Sequence, residues 1–166
     1  MNARTRKISL GYDLYAIVDT EDYEYLSQWA WCANASLVVS RERFYDYLTN
    51  TPSPCSNTMS RVIMGLNKGD KRQVDHINHN PLDNRKCNLR ICTVSQNQAN
   101  SYSHRNSMSK YKGVSWHKGG KKWQARIKIK GKQKHLGLFD NERSAALAYN
   151  LAAKKYFGKF ALLNKI

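Results

Sequence analysis

No stretch of this 166-residue chain approaches the roughly 20 apolar residues that a membrane-spanning helix needs; a local run such as Leu37-Val38-Val39 is only strand-sized. No membrane association is expected. A secretory leader is equally unindicated, because the basic start, Met1 to Lys7, runs into Gly11, Tyr12 and Asp13 before any apolar core develops. The four cysteines, Cys32, Cys55, Cys87 and Cys92, form no Cys-x-x-Cys pair, so no structural zinc is expected, and a disulfide framework would need an oxidising compartment. Acid is scarce as well. The 12 Asp and Glu face 28 Lys and Arg, for a formal charge of +16, and the shortage is local. Residues 1–100 hold 10 acidic against 12 basic side chains, whereas residues 101–166 hold 2 against 16. Such a concentrated positive field fits a polyanionic partner, nucleic acid or an anionic surface. At 24% charged and 41% hydrophobic the chain still folds, with room for one domain or two to three small modules.

Periodicity then divides the chain. Residues 8–18 are rich in β-formers, Asp19 to Trp31 reads helical with acid in its first turn, and Ser36 to Arg43 reads as strand, together a small α+β cap over 1–58. Residues 46–58 form a punctuated loop, and Met59 to Leu66 a short apolar segment. Arg72 to Ile77 is a short strand, the stretch from Asn78 to Arg85 is dense in turn formers, and Asn88 to Ile91 is a second strand. Thr93 and Gln96 fit a capping box, so a helix begins there. Residues 101–110 read as a polar, basic linker. From Trp123 to Lys130 the pattern alternates strictly, with Trp123, Ala125, Ile127 and Ile129 on one face and Gln124, Arg126, Lys128 and Lys130 on the other. Lys112 to His117 supplies another strand, Lys130-Gly131 a hairpin turn, and an Ala-rich helix capped by Asp140 ends at Gly158. The fold class is α+β, with a three-stranded antiparallel sheet packed on one C-terminal helix.

Asp75 and His76 leave the first of the middle strands, Asn88 opens the second, and Asn97 lies in the first turn of the helix behind them, so all can converge on one pocket. In this the chain resembles the HNH nucleases, whose ββα-metal module would cover residues 59–100. The resemblance implies His76 as general base, since imidazole accepts a proton near neutral pH. It implies Asp75 and Asn97 as oxygen donors to one divalent ion, Mg²⁺ or Mn²⁺, and Asn88 as the residue that fixes the loop carrying His76. Asn97 stands where many members have His, as in the Asp-His…Asn…Asn subset of phage and intron-encoded homing endonucleases. Asn78, Asn80 and Asn84 read as turn formers and His79 as a solvated loop residue. Arg85, Lys86 and Arg90 read equally as phosphate contacts or as a solvated patch, and Cys87 and Cys92 as small buried hydrophobes.

The last third, residues 111–166, resembles the plant Apetala-two/ethylene-response-factor DNA-binding domain through Tyr111-Lys112-Gly113-Val114, Trp123-x-Ala125-x-Ile127, His135-Leu136-Gly137-x-Phe139, Ala145-Ala146-x-Ala148-Tyr149 and Leu163-Asn164. That family lays its sheet in the major groove. Its contact positions fall on Lys112, Ser115, His117, Arg126, Lys128, Gln133 and His135, all but Lys112 on the outward face. Arg126 and Gln133 suit base edges, while Lys112, Lys128 and Lys130 suit phosphates. Trp116 and Trp123 read as sheet core.

The two resemblances together imply a metal-dependent, homing-type HNH endonuclease acting on double-stranded DNA in the cytoplasm of a bacterial or phage-infected cell. It is expected to be a monomer that nicks one strand, without a protein partner. The rival is a non-catalytic, sequence-specific DNA-binding regulator that keeps the HNH fold as scaffold.

Overall fold

The computed structural model describes residues 5–41, 45–46, 51–52, 58–102 and 108–166. Most of the loop expected over 46–58, residues 42–43 of the strand expected over 36–43 and 103–107 of the expected linker lie outside these. The chain divides into two compact units, Met1–Cys92 and Thr93–Ile166.

In the first unit, β1 (Thr5–Ser9) and β2 (Tyr15–Asp19) pair antiparallel with Ile8 opposite Ala16. Alternation turns Ile8, Ala16 and Val18 inward. α1 (Thr20–Ser27) follows, with Glu21 and Asp22 at its N-terminal end, where the helix dipole favours acid. It is shorter than the helix expected over 19–31, because Trp31 opens β3 (Trp31–Ala33) and sends its buried indole N–H back to Leu26 O at 2.8 Å. β3 pairs with β4 (Val39–Arg41), and β5 (Tyr45–Asp46) with β6 (Thr51–Pro52). After α2 (Met59–Ile63), β7 (Gln73–His76) and β8 (Leu89–Cys92) form a hairpin. One core holds Ile8, Ala16, Val18, Leu26, Trp31, Val39 and Met59, with Val62, Ile63 and Leu82 packed against it. A boundary at 58/59 would cut through that core, so cap and hairpin are one body. Arg61 steadies the approach to β7 by donating to the carbonyls of Asn67, Asp70 and Arg72.

The second unit opens with α3 (Val94–Asn100), started by a complete capping box: Thr93 Oγ1 accepts from Gln96 N, and Gln96 Oε1 accepts from Thr93 N at 2.8 Å. β9 (Val114–His117), β10 (Lys122–Ile129) and β11 (Lys132–Phe139) form an antiparallel sheet with β10 central. The β10–β11 turn is Lys130-Gly131, both at positive φ (48° and 81°), as a two-residue hairpin matched to strand twist requires. α4 (Glu142–Phe157) packs on the inner face through Ala145, Ala146, Tyr149 and Ala153. Its cap is Asn141, whose Oδ1 accepts from Ser144 N at 2.7 Å. Asp140, expected in that role, pairs with Lys122 at 3.0 Å, one residue too early to reach the helix amides. Gly113 is required by space: a Cβ there would lie 2.1 Å from the Tyr149 ring and 2.6 Å from Arg126 O. The Leu163-Asn164 motif has a similarly local cause. Asn164 bridges Lys112 N, Lys112 O and the Asn150 amide, tying the chain end to the entrance of β9.

Candidate active site and nucleic-acid interface

His76 is the last residue of β7, and the chain from Ile77 to Arg85 loops away from it before the 3₁₀ turn Lys86–Asn88 leads into β8. Asn88 closes that turn, rather than opening the strand, and is buried. Its Oδ1 accepts from Asn78 N at 3.0 Å, while its Nδ2 donates to Asp83 O at 2.8 Å and Asn78 Oδ1 at 3.0 Å. One side chain thus pins both ends of the loop. Asn78 and Asn80 form successive Asx turns, onto Asn80 N and Leu82 N, and His79 takes a left-handed φ of 62°. Asn84, read from the sequence as a turn former, also reaches His76. Asn84 is 1% exposed, and its Oδ1 lies 3.2 Å from His76 Nε2 while its Nδ2 donates to Pro81 O at 3.0 Å.

The basic residues around the loop are held by acid. Asp75 and Arg90 sit directly opposite in the hairpin, and both Nε (2.8 Å) and Nη2 (2.7 Å) of Arg90 reach Asp75 Oδ2. The pair is largely buried, with side chains 7% and 13% exposed. Arg85 makes a fork onto Asp83 at 2.7 and 2.6 Å, which holds the Asp83 carboxyl below the usual range. Lys86 reaches Glu21 and Asp22 of α1. None of the three is a purely solvated patch. Burial pulls His76 below the ordinary histidine range, against the Asn84 bond and the charges of Asp75 and Asp83, which push it up. Imidazole is then neutral, hence a proton acceptor, at physiological pH.

Asp75 is a buried carboxylate beside this imidazole. The neighbouring Cys92 is pushed up to about 11 by burial, with the Asp75 charge adding to it, so it stays a thiol and offers no thiolate. Hard oxygen without soft sulfur fits Mg²⁺ or Mn²⁺ in kind. Among the described residues no group of three or more His, Cys, Asp or Glu converges, so a cation here would keep water or phosphate in its remaining positions. Cys87, expected buried, is exposed; Cys92 is buried.

Asn97 belongs to the second unit, half-buried in the first turn of α3, its N–H donating to Thr93 O at 2.9 Å. On the sheet of that unit, Arg126 lies opposite His135 and Lys128 opposite Gln133, within cross-strand reach of one another. A bulge after Ala125 sets Leu136 against the core and keeps His135 on the outer face. Ser115, Lys128, Lys130, Gln133 and His135 are exposed, and Arg126 and His117 half-buried. His117 Nδ1 accepts from Gly120 N, and His135 Nδ1 meets Gln124 Nε2 at 3.2 Å. The two acids of this region are engaged elsewhere, Asp140 with Lys122 and Glu142 with Ser109. Trp116 and Trp123 stack edge to face at 5.2 Å, and Trp123 packs on the core.

Lys112 is a correction. Expected to hold phosphate, it is partly buried, and its ammonium donates to the carbonyls of Gln98, Ala99 and Ser101. It therefore satisfies the orphan carbonyls at the end of α3. Burial draws it down to about 8. Leu162 N donates to Ala99 O at 3.1 Å, so α3 is fastened to the sheet unit from two sides.

Comparison with known proteins finds two resemblances along the chain, and the first of them runs across the boundary between the two units. The HNH endonuclease family model matches residues 60–99. An uncharacterized HNH endonuclease of Acanthamoeba polyphaga mimivirus is 38% identical over 93 residues, 56% of this chain and 47% of that protein. Protein 3.8 of Escherichia phage T7 is 31% identical over 88 residues, 53% of this chain and 72% of its own. An AP2-like ethylene-responsive transcription factor of Arabidopsis thaliana is 39% identical over 66 residues, 34% of this chain and 22% of that protein. The chain spans about half the length of the mimivirus relative and less than a quarter of the plant one. No solved structure matches. With the strand-end histidine and the asparagine-locked loop lying in the matching segment and the basic sheet in the C-terminal region, the chain carries an HNH endonuclease domain over residues 60–99 and an AP2-type domain at its C-terminal end.

Proposed function

We propose that this chain is a divalent-metal-dependent DNA endonuclease of homing type that docks on duplex DNA through its C-terminal sheet and nicks one strand as a monomer. The observation that carries the reading is the loop after β7, held by Asn88 at both ends, with His76 at its root and drawn below its ordinary value by burial. His76 takes a proton from water as the water oxygen bonds to phosphorus; the bond from phosphorus to the 3′ oxygen breaks, and that oxygen takes its proton from solvent. Asp75 would be an oxygen donor to one Mg²⁺ or Mn²⁺; Asn97, the other expected donor, is on α3 of the second unit. When bound, the cation offsets charge on the phosphoryl oxygens and the leaving oxygen. Arg126 and Gln133 read base edges; Lys128 and Lys130 hold phosphates; Ser115, His117 and His135 complete the surface. Lys112 is left out, its ammonium being spent on α3.

The Arg90 fork on Asp75 favours a second reading, a DNA-binding regulator in which the ion pair has replaced the cation. Supercoiled plasmid incubated with Mg²⁺ or Mn²⁺ separates the two. Metal-dependent conversion to open circles, lost in His76→Ala, supports the nuclease; unchanged supercoils beside tight duplex binding support the regulator.

A further inference from the structure

The imidazole of His76 has two nitrogens, and a general base needs the lone pair on the one that faces the water. Nothing in the ring itself decides which nitrogen carries the hydrogen in the neutral form; a neighbour must. One such neighbour is Asn84. Its amide is oriented from one side, where Nδ2 donates to Pro81 O at 3.0 Å, so the atom turned to His76 Nε2 is the oxygen Oδ1, at 3.2 Å. An amide oxygen only accepts. Nε2 must therefore carry the hydrogen, and the lone pair of the neutral ring sits on Nδ1.

The amide is itself held from outside the loop. Asn84 N donates to Ile17 O at 2.8 Å, and Ile17 N donates to Leu82 O at 2.8 Å, so β2 lies along residues 82–84 as a short parallel partner, bridging Ile17 to Asp83. At 1% exposure Asn84 has no water to swing toward. Lys86 N, donating to Asp19 Oδ2 at 2.8 Å, extends the same brace.

We propose that Asn84 is a positioning residue that fixes His76 as the Nε2–H tautomer and so makes Nδ1 the proton-accepting atom, with the N-terminal β1–β2 hairpin serving as the brace that keeps the Asn84 oxygen aimed. The role rests on the nuclease reading above, but the tautomer is a property of the protein whether or not it cuts. It also gives the N-terminal segment a task within the catalytic body.

The test joins a spectroscopic readout to a kinetic one. Full-length protein with ¹⁵N-labelled histidine is examined by long-range ¹H–¹⁵N correlation, which separates a protonated ring nitrogen from one bearing a lone pair. The expected wild-type signature for His76 is Nε2–H; an Nδ1–H signature overturns the inference, even for a protein that never nicks DNA. In the plasmid assay with Mg²⁺, Asn84→Ala is expected to lower kcat about 10- to 100-fold, as losses of outer partners of a ligand or base do, with KM for DNA unchanged. Asn84→Asp keeps an oxygen toward Nε2 and is expected to recover most of the rate. Wild-type kcat in Asn84→Ala, or equal loss in Ala and Asp variants that both melt cooperatively, refutes the assignment. Nicking that survives His76→Ala sinks the nuclease reading instead, and is distinguishable because the tautomer signature is read separately.

Discussion

Removing Arg90 should expose how tightly the hairpin depends on the buried Asp75–Arg90 ion pair. Arg90 places two nitrogens within 2.7–2.8 Å of one Asp75 oxygen, and the two side chains are only 13% and 7% exposed. Deleting one member of such a pair strands the other charge in a poorly solvated place, which costs about 3–5 kcal/mol in comparable sites. Arg90 keeps some solvent contact, so the lower figure, about 3 kcal/mol, applies to Arg90→Met. For a unit of fewer than a hundred residues this corresponds to a fall in Tm of about 12–24 °C. The assay is thermal and urea unfolding of the wild type, Arg90→Met, Asp75→Asn and the double variant. Because Asp75→Asn removes the stranded charge, the double variant should recover much of the loss, giving a coupling energy of about 2 kcal/mol. Mg²⁺ should stabilise Arg90→Met more than the wild type, since a cation can then take the place of guanidinium on Asp75. A loss under about 1 kcal/mol, the range of exposed pairs, would refute the claim that this pair holds the site together.

The pH dependence of nicking follows from His76, which burial holds below its ordinary value of 6.5. The active form is the neutral ring, so activity falls as pH drops through that lowered value, and burial of the neutral ring makes stability fall in the same direction. The rate in Mg²⁺ should already be level at pH 7; a rise continuing above about pH 7.5, past the reference range for imidazole, contradicts this. Lys112→Met should expose the C-terminal carbonyls of α3 and cost about 1.5–3 kcal/mol, as for bonds from a charged donor, with faster amide exchange in α3; unchanged exchange would show that the ammonium does not hold it. Lys128→Ala should lower the slope of log affinity against log salt by about 0.9, one phosphate's share, without changing target preference, and an unchanged slope removes Lys128 from the interface.

Local rules made much of the fold legible. Strict alternation from Trp123 to Ile129 placed β10 and its two faces, Thr93 and Gln96 announced α3, and Lys130-Gly131 marked the hairpin. Properties that depend on distant packing were not legible. Asn84 reads as any turn asparagine until burial and the Ile17 backbone are known. Lys112 looks like a phosphate contact by family position, and only the arrival of α3 beneath it turns its ammonium inward. The shared core of residues 8–63 overrides the loop over 46–58, whose composition resembles a module boundary. One missed feature did leave a trace: drawing β7 against β8 with His76 opposite Leu89 puts Asp75 opposite Arg90, an acid and a base on one face.

The most direct test of the account is a single-turnover comparison of wild type and His76→Ala on supercoiled plasmid in Mg²⁺, with duplex affinity measured on the same preparations. The account predicts equal affinity and a nicking rate lower by about 10²–10⁴, the usual contribution of a positioned general base. Equal nicking rates in the two proteins would contradict it.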